Sequence, residues 1–133
     1  SFIALYGDEV GLDDIGPVAS SADIQGMIAA VRTVHVAPSL KAYLVDIADA
    51  TRRHPHLALG MSPRATLSLQ RVARGRAAAF GRTYVVPDDI KALAEIVLAH
   101  RLMVTPEAQL QGTTSADALR DVLQSVPVPS ATA

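Results

Sequence analysis

The chain has 133 residues, half of them hydrophobic, a formal net charge of −1 and no cysteine. That length suits one domain with its own core, and the missing cysteines exclude a disulfide framework, a thiolate zinc site and a thiol nucleophile. No apolar run reaches the ~18 residues of a membrane span and no basic-then-apolar leader opens the chain, so it reads as soluble and cytoplasmic; starting on Ser1 rather than Met, it reads as a piece of something longer.

The small net charge hides an asymmetry. Residues 1–31 carry five acids (Asp8, Glu9, Asp13, Asp14, Asp23) and no Lys or Arg, whereas residues 52–82 carry seven arginines (Arg52, Arg53, Arg64, Arg71, Arg74, Arg76, Arg82) and no acid. A basic block of that density points to an acidic partner: nucleotide, nucleic acid or another subunit.

Residues 1–16, punctuated by Gly7, Gly11 and Gly16, have no clear period and read as a linker or N-terminal arm. Ser20 and Asp23 then frame a capping box, and Ile24, Met27, Ile28 and Val31 follow with helical spacing. Val34-His35-Val36 reads as a short extended piece. Pro38 begins a second helix with the stripe Leu40, Tyr43, Leu44, Ile47 and Ala48; it runs to about Arg53, where Pro55 stops it. His54 to Met61 reads as a connecting loop. The third helix is capped by Ser62, has Pro63 at its first position and runs to Phe80, with Gly81 as the terminating residue.

On a helical wheel Ala65, Leu69, Val72, Ala79 and Phe80 share one apolar face of that third helix, and Arg76 falls within it with no evident reason. Tyr84-Val85-Val86 is a second extended fragment. A fourth helix opens on Pro87-Asp88-Asp89 and carries Ile90, Leu93, Ala94, Val97 and Leu98, with His100 and Arg101 at its end. Leu102-Met103-Val104 is a third extended fragment. Thr114 and Asp117 cap a last helix with Leu119, Val122, Leu123 and Val126 inward, and residues 129–133 form a disordered tail. Five amphipathic helices with short β fragments make an all-α helical bundle.

Arg64 occupies an unusual place. It sits on the first turn of the third helix, where the macrodipole disfavours a cation by about 0.3–1 kcal/mol. An anion in front of the free N–H groups would reverse that sign, so helix start and arginine together make a phosphate-facing corner, with a solvated arginine as the alternative. Other constellations are weaker. His54 and His56 lack the further ligands a metal site needs. His35 and His100 suit packing or helix-end positions. Asp88 and Asp89 point about 100° apart and suit capping better than paired acid–base work. Tyr43 belongs to a core stripe, and Arg71 and Arg74 divide between a solvated face and contact with a subunit or nucleotide.

The series Gly60-Met61-Ser62-Pro63-Arg64-Ala65, then Gly81-Arg82-Thr83-Tyr84-Val85-Val86-Pro87-Asp88-Asp89-Ile90-Lys91, then Val97-Leu98-Ala99-His100-Arg101-Leu102 resembles the C-terminal lid domain of MoxR-type AAA+ ATPases. Val34-His35-Val36 and the end of the second helix, Thr51-Arg52-Arg53-His54-Pro55, fit the same pattern, and the resemblance spans residues 17–128. It implies an AAA+ lid in which Arg64 is the sensor-2 residue facing the phosphates of ATP, with Pro63 and Ala65 beside it. It further implies a P-loop domain in the same parent chain that supplies magnesium, a hexameric ring of neighbouring subunits, and chaperone-like maturation of partners with von Willebrand factor A domains. Ala37 departs from the pattern, standing where a capping Ser or Thr is frequent. The chain carries no Gly-x-x-x-x-Gly-Lys-Ser/Thr phosphate loop and no strand ending in paired acids, so it should hydrolyse no ATP alone. The competing reading is a stand-alone nucleic-acid-binding module using the Arg52–Arg82 block, weakened because Phe80 is the one aromatic within it. A helical protein-interaction domain is a third option.

Overall fold

A computed structural model describes residues 14–130. Most of the expected arm and the end of the expected tail lie outside the described residues. Contacts group the chain into two units, Ser1–Ala30 and Val31–Ala133.

Helix α1 (Ser21–Arg32) starts as expected: Ser20 Oγ accepts from the Asp23 N–H at 3.1 Å and the Asp23 carboxylate accepts from the Ser20 N–H at 2.9 Å. Its apolar stripe is not buried, however; Ile24, Met27 and Ile28 are about half exposed and no residue of α1 is buried. Helical spacing gathers apolar side chains on one face without saying what covers that face.

Helix α2 (Pro38–Arg53) buries all five expected stripe residues and continues the stripe one turn further with Thr51. Ala37 precedes it without a side-chain cap, as its methyl requires. The expected loop from His54 to Met61 contains a strand instead. Strand β1 (Leu57–Leu59) pairs antiparallel with β2 (Met103–Val104), Leu57 opposite Val104 and Leu59 opposite Met103 with an irregularity between them. A three-residue strand is too short to declare a period. The other two fragments meet as a single parallel bridge, His35 to Tyr84, held by the His35 N–H on Thr83 O and the Val85 N–H on His35 O.

Helix α3 (Pro63–Ala79) buries Ala65, Leu69, Ala73 and Ala77. Val72, Ala79 and Phe80, expected on that face, lie on the exposed side, Phe80 at 67%. The buried row runs every fourth residue and is made mainly of alanine, so α3 packs closely along its small side chains and leaves the larger ones out. Its neighbour α4 (Pro87–Leu98), the element it packs against most extensively, likewise buries an alanine, Ala94, between Ile90 and Leu98. Gly81 ends α3 at φ 73°, a conformation cheap for glycine, and this lets the Arg82 N–H return to Ala77 O at 2.9 Å.

A 3₁₀ turn (Ala99–Arg101) leads into β2. The short helix α5 (Pro106–Leu110) was not expected; its cap, Thr105 accepting from the Ala108 N–H at 3.2 Å, repeats the Ser62-Pro63 arrangement. Helix α6 (Ser115–Ser125) has the expected reciprocal Thr114–Asp117 cap and directs Leu119 and Val122 into the core, followed by Val126. The described residues thus form six α-helices where five were expected, plus one two-stranded sheet; within Val31–Ala133 the core includes Tyr43, Leu44, Ile47, Met61, Leu69, Ile90, Leu98 and Leu119.

Candidate functional site

The start of α3 is built as its residues dictate. Ser62 Oγ accepts from the Ala65 N–H at 3.1 Å, and Pro63 occupies the first turn, where its missing N–H costs nothing. Arg64 follows, exposed and with no hydrogen-bond or ion-pair partner among the described residues. A planar cation with five free donors, at the positive end of a helix and with no competing carboxylate, is a donor set that fits a phosphate. Ala65 is buried, so it supports this corner from the core, while Pro63 lines an open cleft of about 400 Å³ with Val45, Ala48, Arg52, Thr66 and Leu67.

The loop leading into this corner is fastened to the end of α2. Thr51, fully buried, donates its hydroxyl proton to Ala48 O at 2.7 Å and accepts from the Met61 N–H at 2.9 Å. Arg52 donates from Nε to Met61 O at 3.0 Å and pairs through Nη1 with Asp49 at 3.1 Å. Gly60 passes so close that a Cβ there would lie 2.7–2.9 Å from backbone atoms of Thr51 and Arg52.

At the other end of α3 the structure explains Arg76. Asp89, fully buried, accepts from Arg76 at 2.6 Å, from both Nη atoms of Arg82 at 2.7 Å each, and from the Val86 N–H at 2.9 Å. Burial pushes the Asp89 carboxyl upward, but the hydrogen bonds from Arg82, Val86 and Arg76 outweigh it and hold its pKa at about 2, below the ordinary 3.8. The same bonds raise Arg82 further above its ordinary value. Arg76 also lies 4.8 Å over the Phe80 ring, a cation–π contact. Asp89 therefore caps α4, as expected of the Asp88-Asp89 pair, and in addition joins the end of α3 to the start of α4. Asp88 stays exposed.

The remaining candidates do not converge on a site. Tyr43 is buried, and burial, with Asp88 adding to it, raises its phenol above the ordinary value. His54 and His56 form a T-shaped ring pair 5.4 Å apart, with His54 Nε2 3.5 Å from Asp121, and no described group of three ligands could hold a metal. His35 is exposed on the parallel bridge rather than packed, and His100 is exposed on the 3₁₀ turn. Arg71 is exposed, while Arg74 is partly buried with its Nε unpaired. The fastening by Thr51, Arg52 and Gly60 was missed, although Thr51 is visible as a polar residue in register with the α2 stripe.

Residues 49–122 match the family model of the AAA lid domain. The chain is 36% identical to the uncharacterized protein YeaC of Bacillus subtilis over 89% of its own length and 37% of that protein's. It is 36% identical to the chaperone MoxR1 of Mycobacterium tuberculosis over 80% of its length and 30% of the relative's, and 31% identical to the protein MoxR of Paracoccus denitrificans over 81% and 36%. It thus spans about a third of the curated relatives it matches. A crystal structure of a candidate ATPase from Cytophaga hutchinsonii has the same fold, with a TM-score of 0.85 over 96% of this chain and 42% of that one, at 24% identity. No described helix is long and apolar enough to cross a membrane.

Proposed function

Because this chain belongs to the AAA lid domain family, in its MoxR-like branch, we propose that residues 17–128 are the lid of a cytoplasmic, ring-forming AAA+ ATPase and that Arg64 is its sensor-2 arginine. The observation that carries the assignment of Arg64 is its exposed guanidinium, without a partner among the described residues, on the first turn of a helix seventeen residues long. There it would face an anion placed before the free N–H groups. Bound ATP would supply the scissile phosphoanhydride; the phosphate loop and magnesium ligands belong to the P-loop domain of the longer protein. Arg64 would donate to phosphate oxygens through its planar fork, with Pro63 and Ala65 as its neighbours on the first turn. A change of charge at the phosphates then alters the pull on α3 and the angle of the lid, which a hexameric ring would pass to its neighbours and to client proteins, including partners with von Willebrand factor A domains, in a chaperone-like role.

The nucleic-acid reading loses support from the fate of the arginine block. Arg76 and Arg82 are spent on Asp89, and Arg52 on Met61 O and Asp49, so the seven arginines form no continuous free patch.

The test is steady-state ATPase kinetics of the longer protein carrying Arg64→Ala or Arg64→Lys. Removing a charge-assisted bond of about 1.5–3 kcal/mol predicts a loss of about ten- to a hundredfold. It falls on kcat if the bond strengthens as charge develops and on KM if it holds only the ground state. Lysine rescues partly, because it keeps the charge and loses the fork. Arg120→Ala, an exposed residue on α6, is the control and leaves the kinetics unchanged. Wild-type kinetics in Arg64→Ala would refute the assignment.

A further inference from the structure

We propose that Thr51 and Arg52, the last turn of α2, are positioning residues that set the direction of Arg64; this rests on the reading of Arg64 as the phosphate-facing residue. Only Ser62 and Pro63 separate Met61 from Arg64, the first fixed as a cap and the second with its φ locked by its ring. The orientation of Met61 is therefore inherited by the first turn of α3. Met61 is held on both sides: its N–H by the Thr51 hydroxyl at 2.9 Å, its C=O by Arg52 Nε at 3.0 Å. The Thr51 hydroxyl cannot rotate away freely, because its proton is committed to Ala48 O at 2.7 Å, which aims a lone pair at Met61. The Met61 side chain is buried, and Gly60 packs flush on the Arg52 backbone, so the loop has no room to swing. The Arg64 side chain makes no hydrogen bond or ion pair with any of these groups. Its side chain remains free while its backbone is aimed from α2.

This arrangement separates two properties that a packing role would confound. Thr51→Val keeps shape and volume and removes the acceptor, leaving the Met61 N–H buried without a partner; Thr51→Ser keeps the acceptor and drops a methyl. Arg52→Ala removes the second bond from a half-exposed side chain and leaves the core intact. A misplacement of about 1 Å at a reacting group can cost about a hundredfold in rate.

The experiment has two arms. In this chain, amide hydrogen exchange at Met61 should speed up in Thr51→Val and stay near wild type in Thr51→Ser; unchanged exchange in Thr51→Val would overturn the inference. In the longer protein, Thr51→Val and Arg52→Ala should each lower ATP turnover by about ten- to a hundredfold, with Thr51→Ser rescuing. Thr51→Val added to Arg64→Ala should cause no further loss, since the positioned group is already gone. A full additional loss in the double variant would overturn the positioning role alone, provided Arg64→Ala shows its own defect. Wild-type turnover in Arg64→Ala would overturn the underlying reading and this inference with it.

Discussion

Asp89 is the residue whose protonation the structure most clearly ties to stability. Its folded pKa of about 2 lies below the ordinary 3.8, so the folded state binds the proton more weakly than the unfolded chain. The stabilisation is complete above pH 3.8 and is lost as pH falls through 2. The shift corresponds to about 2 kcal/mol at neutral pH, of which roughly half survives near pH 3. Asp89→Asn removes the charge while keeping an oxygen for the Val86 N–H. Breaking a buried ion pair from one side costs about 3–5 kcal/mol. Here the Arg76 and Arg82 side chains are 29% and 24% exposed and can rehydrate, which brings the expected loss to about 2–3 kcal/mol. Urea unfolding of this chain and of Asp89→Asn, at intervals from pH 7 to pH 2.5, measures the gap between them. The gap should be widest at neutral pH and narrow below pH 4. A constant gap across that range, or wild-type stability in Asp89→Asn at pH 7, would show that the carboxylate is not held by its two arginines.

Four further outcomes are expected. Gly60→Ala should lose about 1–3 kcal/mol in urea unfolding, because the new Cβ would meet the backbone of Arg52 at 2.7 Å. Ser62→Ala should lose about 1 kcal/mol by removing the α3 cap, while Arg64→Ala should change the melting free energy by less than about 0.5 kcal/mol; a larger effect of Arg64 would make it a structural residue. Filter binding of generic duplex DNA to this chain should give no sub-micromolar affinity at physiological salt, and tight binding with a logarithmic salt slope of about −0.9 per phosphate would revive the nucleic-acid reading.

The elements legible in the sequence are those whose physics is local. The α2 stripe, the Ser62, Thr114 and Ser20 caps and the Gly81 stop each depend on residues within a turn or two, and each stands where the spacing placed it. The helix α5 and strand β1 are too short for a period to emerge, and the second becomes a strand only because β2 lies beside it. Arg76 was legible as a question: a cation on an apolar face needs a partner. The answer, Asp89, lies thirteen residues away across the turn between α3 and α4, where tertiary geometry decides. Thr51 posed the same kind of question and went unnoticed, since a threonine at a helix end is ordinary. For Arg64 the sequence supplied position and neighbours; the absence of a side-chain partner among the described residues is a property of the fold.

The two polar clusters occupy opposite ends of the same helix, and the composition of α3 gives the reason for both. Its core face is Ala65, Leu69, Ala73 and Ala77. A row of three methyls and one leucine allows close approach but offers little shape to fix where the helix sits along its neighbours. Hydrophobic burial is non-directional and scales with area, about 0.8 kcal/mol per methylene. Hydrogen bonds are directional, and those of the Thr51–Met61 and Arg52–Met61 pairs fix one end of α3 to α2 while Arg76 and Arg82 on Asp89 fix the other to α4. On the proposed reading, a pull on Arg64 would be passed to α2 through Met61 and to α4 through Asp89, and neither bond could let α3 shift alone without leaving a polar group unpaired. Three helices would then respond as one body to a force applied at a single exposed side chain.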